Sequence, residues 1–128
     1  MTRLLVCDDD RSTRFVIKRL LSKGGEWHVV DCAGGREALE IVAREPFNAM
    51  LLDIEMPCVD GVEVLEAVRN TAATRNLPVI MLSRERREAI VRRLIGLGIS
   101  GYILKPVRPD RLWAALEPFR QAGPPIVR

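Results

Sequence analysis

The chain has few of the residues that staple or anchor small proteins. It carries three cysteines, Cys7, Cys32 and Cys58, an odd number with no CxxC pair. That argues against both a disulfide framework and a zinc site. Cys7 and Cys32 read as small core residues on strands, and Cys58 as an exposed loop thiol. The one histidine, His28, falls at the start of a strand and reads as a packed or edge residue, not as a phosphodonor or metal ligand. No apolar run is long enough to span a membrane. Acids interrupt the opening MTRLLVCDDD before a secretory core can form, so the expected location is the cytoplasm. The net charge of +3 is mild and no polybasic tail carries it, so direct nucleic-acid binding is not expected. There is no internal repeat, low-complexity segment or P-loop motif. Residues 96–101 spell GxGxxG, but they follow a helical stretch and enter a strand, the reverse of a dinucleotide-binding turn.

What is present is an ordinary globular composition. The 128 residues are 48% hydrophobic and 29% charged, enough for one domain with a sizeable core. The stretch 48–61, NAMLLDIEMPCVDG, organises the rest. Its apolar run without alternation, closed by Asp53 and then by Pro57 and Gly61, predicts a strand buried on both faces. Similar runs predict strands at 3–7, 27–32, 78–82 and 101–104. Helical stripes predict helices at 35–44, 62–69, 86–95 and 109–119, with another between Ser12, its expected cap, and Gly24-Gly25. Five strands alternating with five helices predict a parallel sheet covered on both faces by right-handed crossovers. Residues 1–121 form the expected domain, and the Pro-rich tail 122–128 lies beyond it as a free end or a stub.

The residues that end the strands carry the chemistry. They are Asp8 and Asp9, then Asp53, Ser83 and Lys105. In a parallel sheet these ends share one edge, where ligands bind. Each has a structural alternative: Asp8, Asp9 and Ser83 could cap helices, Asp53 could close a turn and Lys105 could be a solvated loop residue. Together they read differently. Converging carboxylates repel, and a divalent cation removes that cost. Oxygen-only ligands suit magnesium, which usually also takes a phosphate oxygen. Lys105 offers a point charge and Ser83 a hydroxyl to further phosphate oxygens. A carboxylate nucleophile, a metal and a lysine are the parts needed for an aspartyl-phosphate.

With LLVCDDD, LLDIEMPCVDG, VIMLS and GYILKP in this order, the chain resembles a response-regulator receiver domain over nearly its whole length. The resemblance implies a flavodoxin-like (βα)5 three-layer sandwich with strand order 2-1-3-4-5. It implies that Asp53 is the phosphoryl acceptor from a sensor histidine kinase or histidine phosphotransfer protein. It implies Mg2+ bound directly by Asp9 and Asp53, through water by Asp8, and by the backbone carbonyl of Glu55. Lys105 would pair with the phosphoryl group, Ser83 would move to bond it, and Tyr102 would be the aromatic switch. The chain would catalyse only its own phosphorylation and dephosphorylation, and would be either a single-domain regulator or a receiver detached from its output. Two departures stand out: Arg84 follows Ser83 where a small residue is usual, and Cys58 follows Pro57 where glycine is usual. Glu55 and Glu85 flank the pocket. The arginine run Arg84, Arg86, Arg87, Arg92 and Arg93, broken by Glu85 and Glu88, reads either as a solvated helix face or as a docking face. The occupant of such a face would be an acidic effector or a second copy in a homodimer. The rivals are a stand-alone magnesium-dependent aspartyl-phosphate phosphohydrolase and a flavin-binding module.

Overall fold

Three strands carry apolar side chains on both faces, and this dictates the layering. In the computed structural model, which describes residues 2–23, 25–84 and 86–120, β1 (Thr2–Cys7), β3 (Ala49–Asp53) and β4 (Val79–Ser83) form the centre of the sheet. Successive side chains alternate between two cores. Leu5, Cys7, Met50, Leu52, Val79 and Met81 enter one layer, while Leu4, Val6, Ala49, Leu51, Ile80 and Leu82 enter the other. Alternation is therefore present in space and invisible in the sequence, because both faces need apolar residues.

The helices complete the layers. On one side lie α2 (Gly35–Arg44), α3 (Gly61–Asn70) and α4 (Glu88–Leu97). On the other lie α1 (Arg11–Ser22) and α5 (Pro109–Leu116), which contribute Ile17, Leu21, Leu112 and Leu116. With β2 (Trp27–Cys32) and β5 (Gly101–Leu104) at the edges, all pairings are parallel and the order is β2-β1-β3-β4-β5. This is the expected sandwich in the expected order.

Helix ends are where the structure departs from the sequence-based expectation. Asp10, not Ser12, caps α1: its carboxylate accepts from the Ser12 amide at 3.0 Å and from the Thr13 hydroxyl at 2.8 Å. Three acids follow β1, and the last of them is the one left extended at the helix start. α3 has a full capping box between Asp60 and Glu63, and so begins a residue early. α4 begins at Glu88, two residues later than expected, with no side-chain cap at Arg87. α5 ends at Leu116 and tightens into a 3-10 turn, Glu117–Phe119, where Pro118 cannot continue the helix. Gly24, Glu85 and the tail 122–128 lie outside the described residues.

Two positions in the passage from β3 into α3 have demanding backbone geometry. The Gly61 amide donates to the Ile54 carbonyl at 2.8 Å, and a Cβ at Gly61 would lie 2.1 Å from the Asp53 carbonyl oxygen. Only glycine fits there. Cys58 holds a φ of 69°, the left-handed region. Its loop thus uses the backbone conformation that glycine adopts freely, with a cysteine in place.

Candidate functional site

The carboxyl rim gathers side chains from four strands. Asp8, immediately after β1, is fully buried, and Asp53 at the end of β3 is 3% exposed. Lys105, immediately after β5, reaches between them: its Nζ is 2.7 Å from Asp8 Oδ2 and 3.3 Å from Asp53 Oδ2. Asp9 is exposed, yet its carboxylate joins those of Asp8 and Asp53 with one oxygen from each, all within 4.8 Å of one another. Among the described residues no other group of three potential ligands comes so close. An all-oxygen donor set of this size fits a hard divalent cation such as magnesium.

Ser83 ends β4 and is fully buried. Its Oγ donates to Glu55 Oε1 at 3.2 Å, so the loop after β3 and the end of β4 are already in contact. Arg84 faces the same cleft of about 300 Å³ as Asp9, Asp10, Asp53, Glu55 and Lys105. Tyr102 stands beside Met81 in the β4–β5 register and packs half-buried against the layer containing α4.

The electrostatics follow from burial and crowding. Desolvation first, and the Asp8 carboxylate second, push Asp53 up to about 7, against the lowering pull of Lys105. Burial pulls Lys105 down, but its contacts with Asp8 and Asp53 outweigh it and raise the ammonium above its ordinary range. The pocket is thus a charged cluster short of cations, and a divalent ion would relieve it.

Every site residue expected from the sequence, Asp8, Asp9, Asp53, Glu55, Ser83 and Lys105, meets at this rim, with Tyr102 one strand away. One participant was not expected. Arg14, on α1, donates from Nη1 to the Asp8 backbone oxygen at 2.7 Å and from Nε to Asp31 Oδ2 at 2.9 Å. Its only signal in the sequence is the i,i+4 spacing with Lys18, which also reaches Asp31, at 3.0 Å. Of the arginine run, Arg84, Arg86 and Arg87 precede α4; the two on the helix are spoken for, Arg92 by Glu88 and Arg93 by Glu66 at 2.5 Å. Cys58 is exposed, while Cys7 and Cys32 are buried.

A doubly wound parallel sheet with an acidic, lysine-bridged pocket at its carboxyl edge defines a class of protein, and comparison with known chains gives it a family. Residues 4–117 match the response regulator receiver domain. The response regulator MprA of Mycolicibacterium vanbaalenii is 37% identical over 117 residues, covering 90% of this chain and 48% of that protein. A chemotaxis protein CheY homolog of Campylobacter jejuni is 32% identical, with 94% of both chains covered. The solved structure of Vibrio cholerae chemotaxis protein CheY4 superposes with a TM-score of 0.85 at 29% identity, over 93% of this chain and 98% of that one. The chain belongs to the response regulator receiver domain family. Receiver domains are signalling modules of two-component systems that work with sensor kinases and effectors, and they normally bind Mg2+ at an acidic pocket. The chain spans about half the length of the MprA relatives it matches. Among the described residues, no helix is long and apolar enough to cross a membrane.

Proposed function

We propose that this chain accepts a phosphoryl group on Asp53 from a phosphohistidine on a sensor kinase or histidine phosphotransfer protein. The observation that carries the reading is Lys105 Nζ lying between Asp8 and Asp53, at 2.7 and 3.3 Å, beside a third carboxylate. In the transfer, an Asp53 carboxylate oxygen bonds to phosphorus as the phosphorus–nitrogen bond of the donor breaks; the donor ring, protonated on its other nitrogen, keeps the electron pair of that bond and leaves as neutral imidazole. Asp8, Asp9, Asp53 and the Glu55 carbonyl would hold Mg2+, which when bound offsets the negative charge of the carboxylates and phosphoryl oxygens. Lys105 pairs with one phosphoryl oxygen. Ser83 exchanges its Glu55 partner for another, since three strong acceptors have arrived beside it. That movement, followed by Tyr102, biases the face made by α4, β5 and α5 towards a second arrangement. An effector of acidic character, or a second copy of the chain, then reads that face through Arg92 and Arg93. The reading assigns residues 1–121 to the receiver, implies a cytoplasmic protein, and limits its catalysis to its own phosphorylation and dephosphorylation.

Beryllofluoride with magnesium, a phosphoryl mimic, tests it by amide NMR. Shifts are expected at Asp53, Ser83 and Tyr102, and their loss in Asp53→Asn. A wild-type spectrum that does not respond rejects the reading.

A further inference from the structure

Asp8 is held through its backbone amide, its carbonyl and one carboxylate oxygen, while the other carboxylate oxygen has the Lys105 ion pair and no hydrogen bond. Its amide donates to the Cys32 carbonyl on β2 at 3.1 Å. Its Oδ1 accepts from the Asp10 amide at 2.8 Å, and its Oδ2 faces Lys105. Its carbonyl oxygen accepts from Arg14, which is tied in turn to Asp31 on β2. The turn leaving β1 is therefore fastened to β2 twice, once directly and once through the guanidinium. Asp9, the exposed member of the acidic trio, is the next residue along that turn.

We propose that Arg14, anchored by Asp31, is the positioning residue that fixes the Asp8 carbonyl and so holds the Asp8–Asp9 turn in the geometry that takes up magnesium. The inference rests on the function proposed above and extends it to a residue outside the pocket. The contact is sheltered: the Arg14 and Asp31 side chains are 16% and 25% exposed. Burial works against the Asp31 charge, but Lys18 and Arg14 hold its carboxyl below the usual range, so the anchor stays ionised. Planar guanidinium geometry matters here, because one side chain makes two bonds in different directions from Nε and Nη1.

The sign of the effect separates positioning from charge. A cation close to an acidic pocket repels a divalent ion, so a residue acting by charge alone would weaken magnesium binding, and its removal would tighten it. A positioning residue acts in the opposite direction, and a lysine, which keeps the charge but not the fork, does not replace it. Outer partners that orient metal ligands are worth roughly ten- to a hundredfold in metal affinity.

Magnesium titration by calorimetry, with urea unfolding of each variant alongside, tests the proposal. Arg14→Ala and Arg14→Lys are both expected to bind magnesium about tenfold more weakly. Asp31→Asn, which leaves Arg14 in place without its anchor, should show an intermediate loss that does not add to that of Arg14→Ala. Lys18→Ala, which removes the other partner of Asp31, should match the wild type. The proposal is overturned if Arg14→Ala binds magnesium as tightly as the wild type or more so, or if Arg14→Lys restores wild-type affinity. Should Arg14→Ala fail to fold, the Asp31→Asn and Arg14→Lys results decide in the same way. A wild type that takes up no magnesium overturns this inference together with the receiver chemistry, whereas a binding wild type with equal Arg14 variants overturns the inference alone.

Discussion

Among the described glycines, Gly61 has the least room for a side chain. The atoms that a Cβ would meet, the Asp53 carbonyl oxygen at 2.1 Å and Ile54 Cα at 2.8 Å, are backbone and cannot swing aside. Gly61→Ala should therefore destabilise the chain by about 3 kcal/mol, read as a lower urea midpoint. Asp31 gives a pH signature. Its carboxyl is held low by Lys18 and Arg14 in spite of desolvation, so the folded chain binds that proton more weakly than the unfolded chain. The stabilisation is full above the ordinary carboxylate value of about 4 and vanishes as pH falls through the folded value. Asp31→Asn should be less stable than the wild type at pH 7 by up to about 1 kcal/mol, allowing for solvent screening, with the two unfolding curves converging in acid. The pocket residues were legible in the sequence because strand-terminal side chains of a parallel sheet must share an edge, wherever they fall in the chain. Arg14 was not, because nothing in its spacing separates a basic residue that turns inward from one that faces water.

At the scale of elements, strands were easier to read than helix ends. Apolar runs such as Ala49 to Leu52 leave little choice, whereas a helix start depends on which of several polar neighbours supplies the cap. Asp10 won that role over Ser12, and α4, with no capping side chain, starts two residues later than expected. Arg69 shows how far such local accounting can reach. From the last turn of α3 it donates to the carbonyls of Arg75 at 3.0 Å, Leu77 at 2.7 Å and Gly98 at 2.8 Å. One guanidinium thus joins the end of α3, the approach to β4 and the C-cap of α4. Arg69→Lys cannot serve three carbonyls at once and should cost about 2 kcal/mol. Hydrogen exchange should show the loss concentrated in the last turn of α4.

At the scale of the whole molecule, the proposed output face can be separated from the proposed chemistry. Arg92 and Arg93 on α4 have side chains 73% and 62% exposed and do not line the cleft. Reversing both to Glu should weaken an acidic effector by about tenfold at low salt, mainly through slower association. The rate at which Asp53 takes up phosphoryl groups should not change. The new like-charge pairs with Glu88 and Glu66 should cost only about 0.5 kcal/mol each. Unaltered effector affinity would remove these arginines from the docking face.

α4 is also the helix with the least grip on the body of the protein. Leu94 is its one buried residue, against four for α3, and its first turn has no side-chain cap. Its far end is pinned through Gly98 by Arg69. A helix pinned at its far end and without a side-chain cap at its start would move by swinging about Gly98, and the uncapped end is the one that follows Ser83 in the chain. The energy needed to tilt it is that of re-seating one leucine and its half-buried neighbours on a single side of the sheet. The layer under α1 and α5 need not be disturbed, so a small chemical event at the rim could be amplified into a large displacement of surface without loosening the fold.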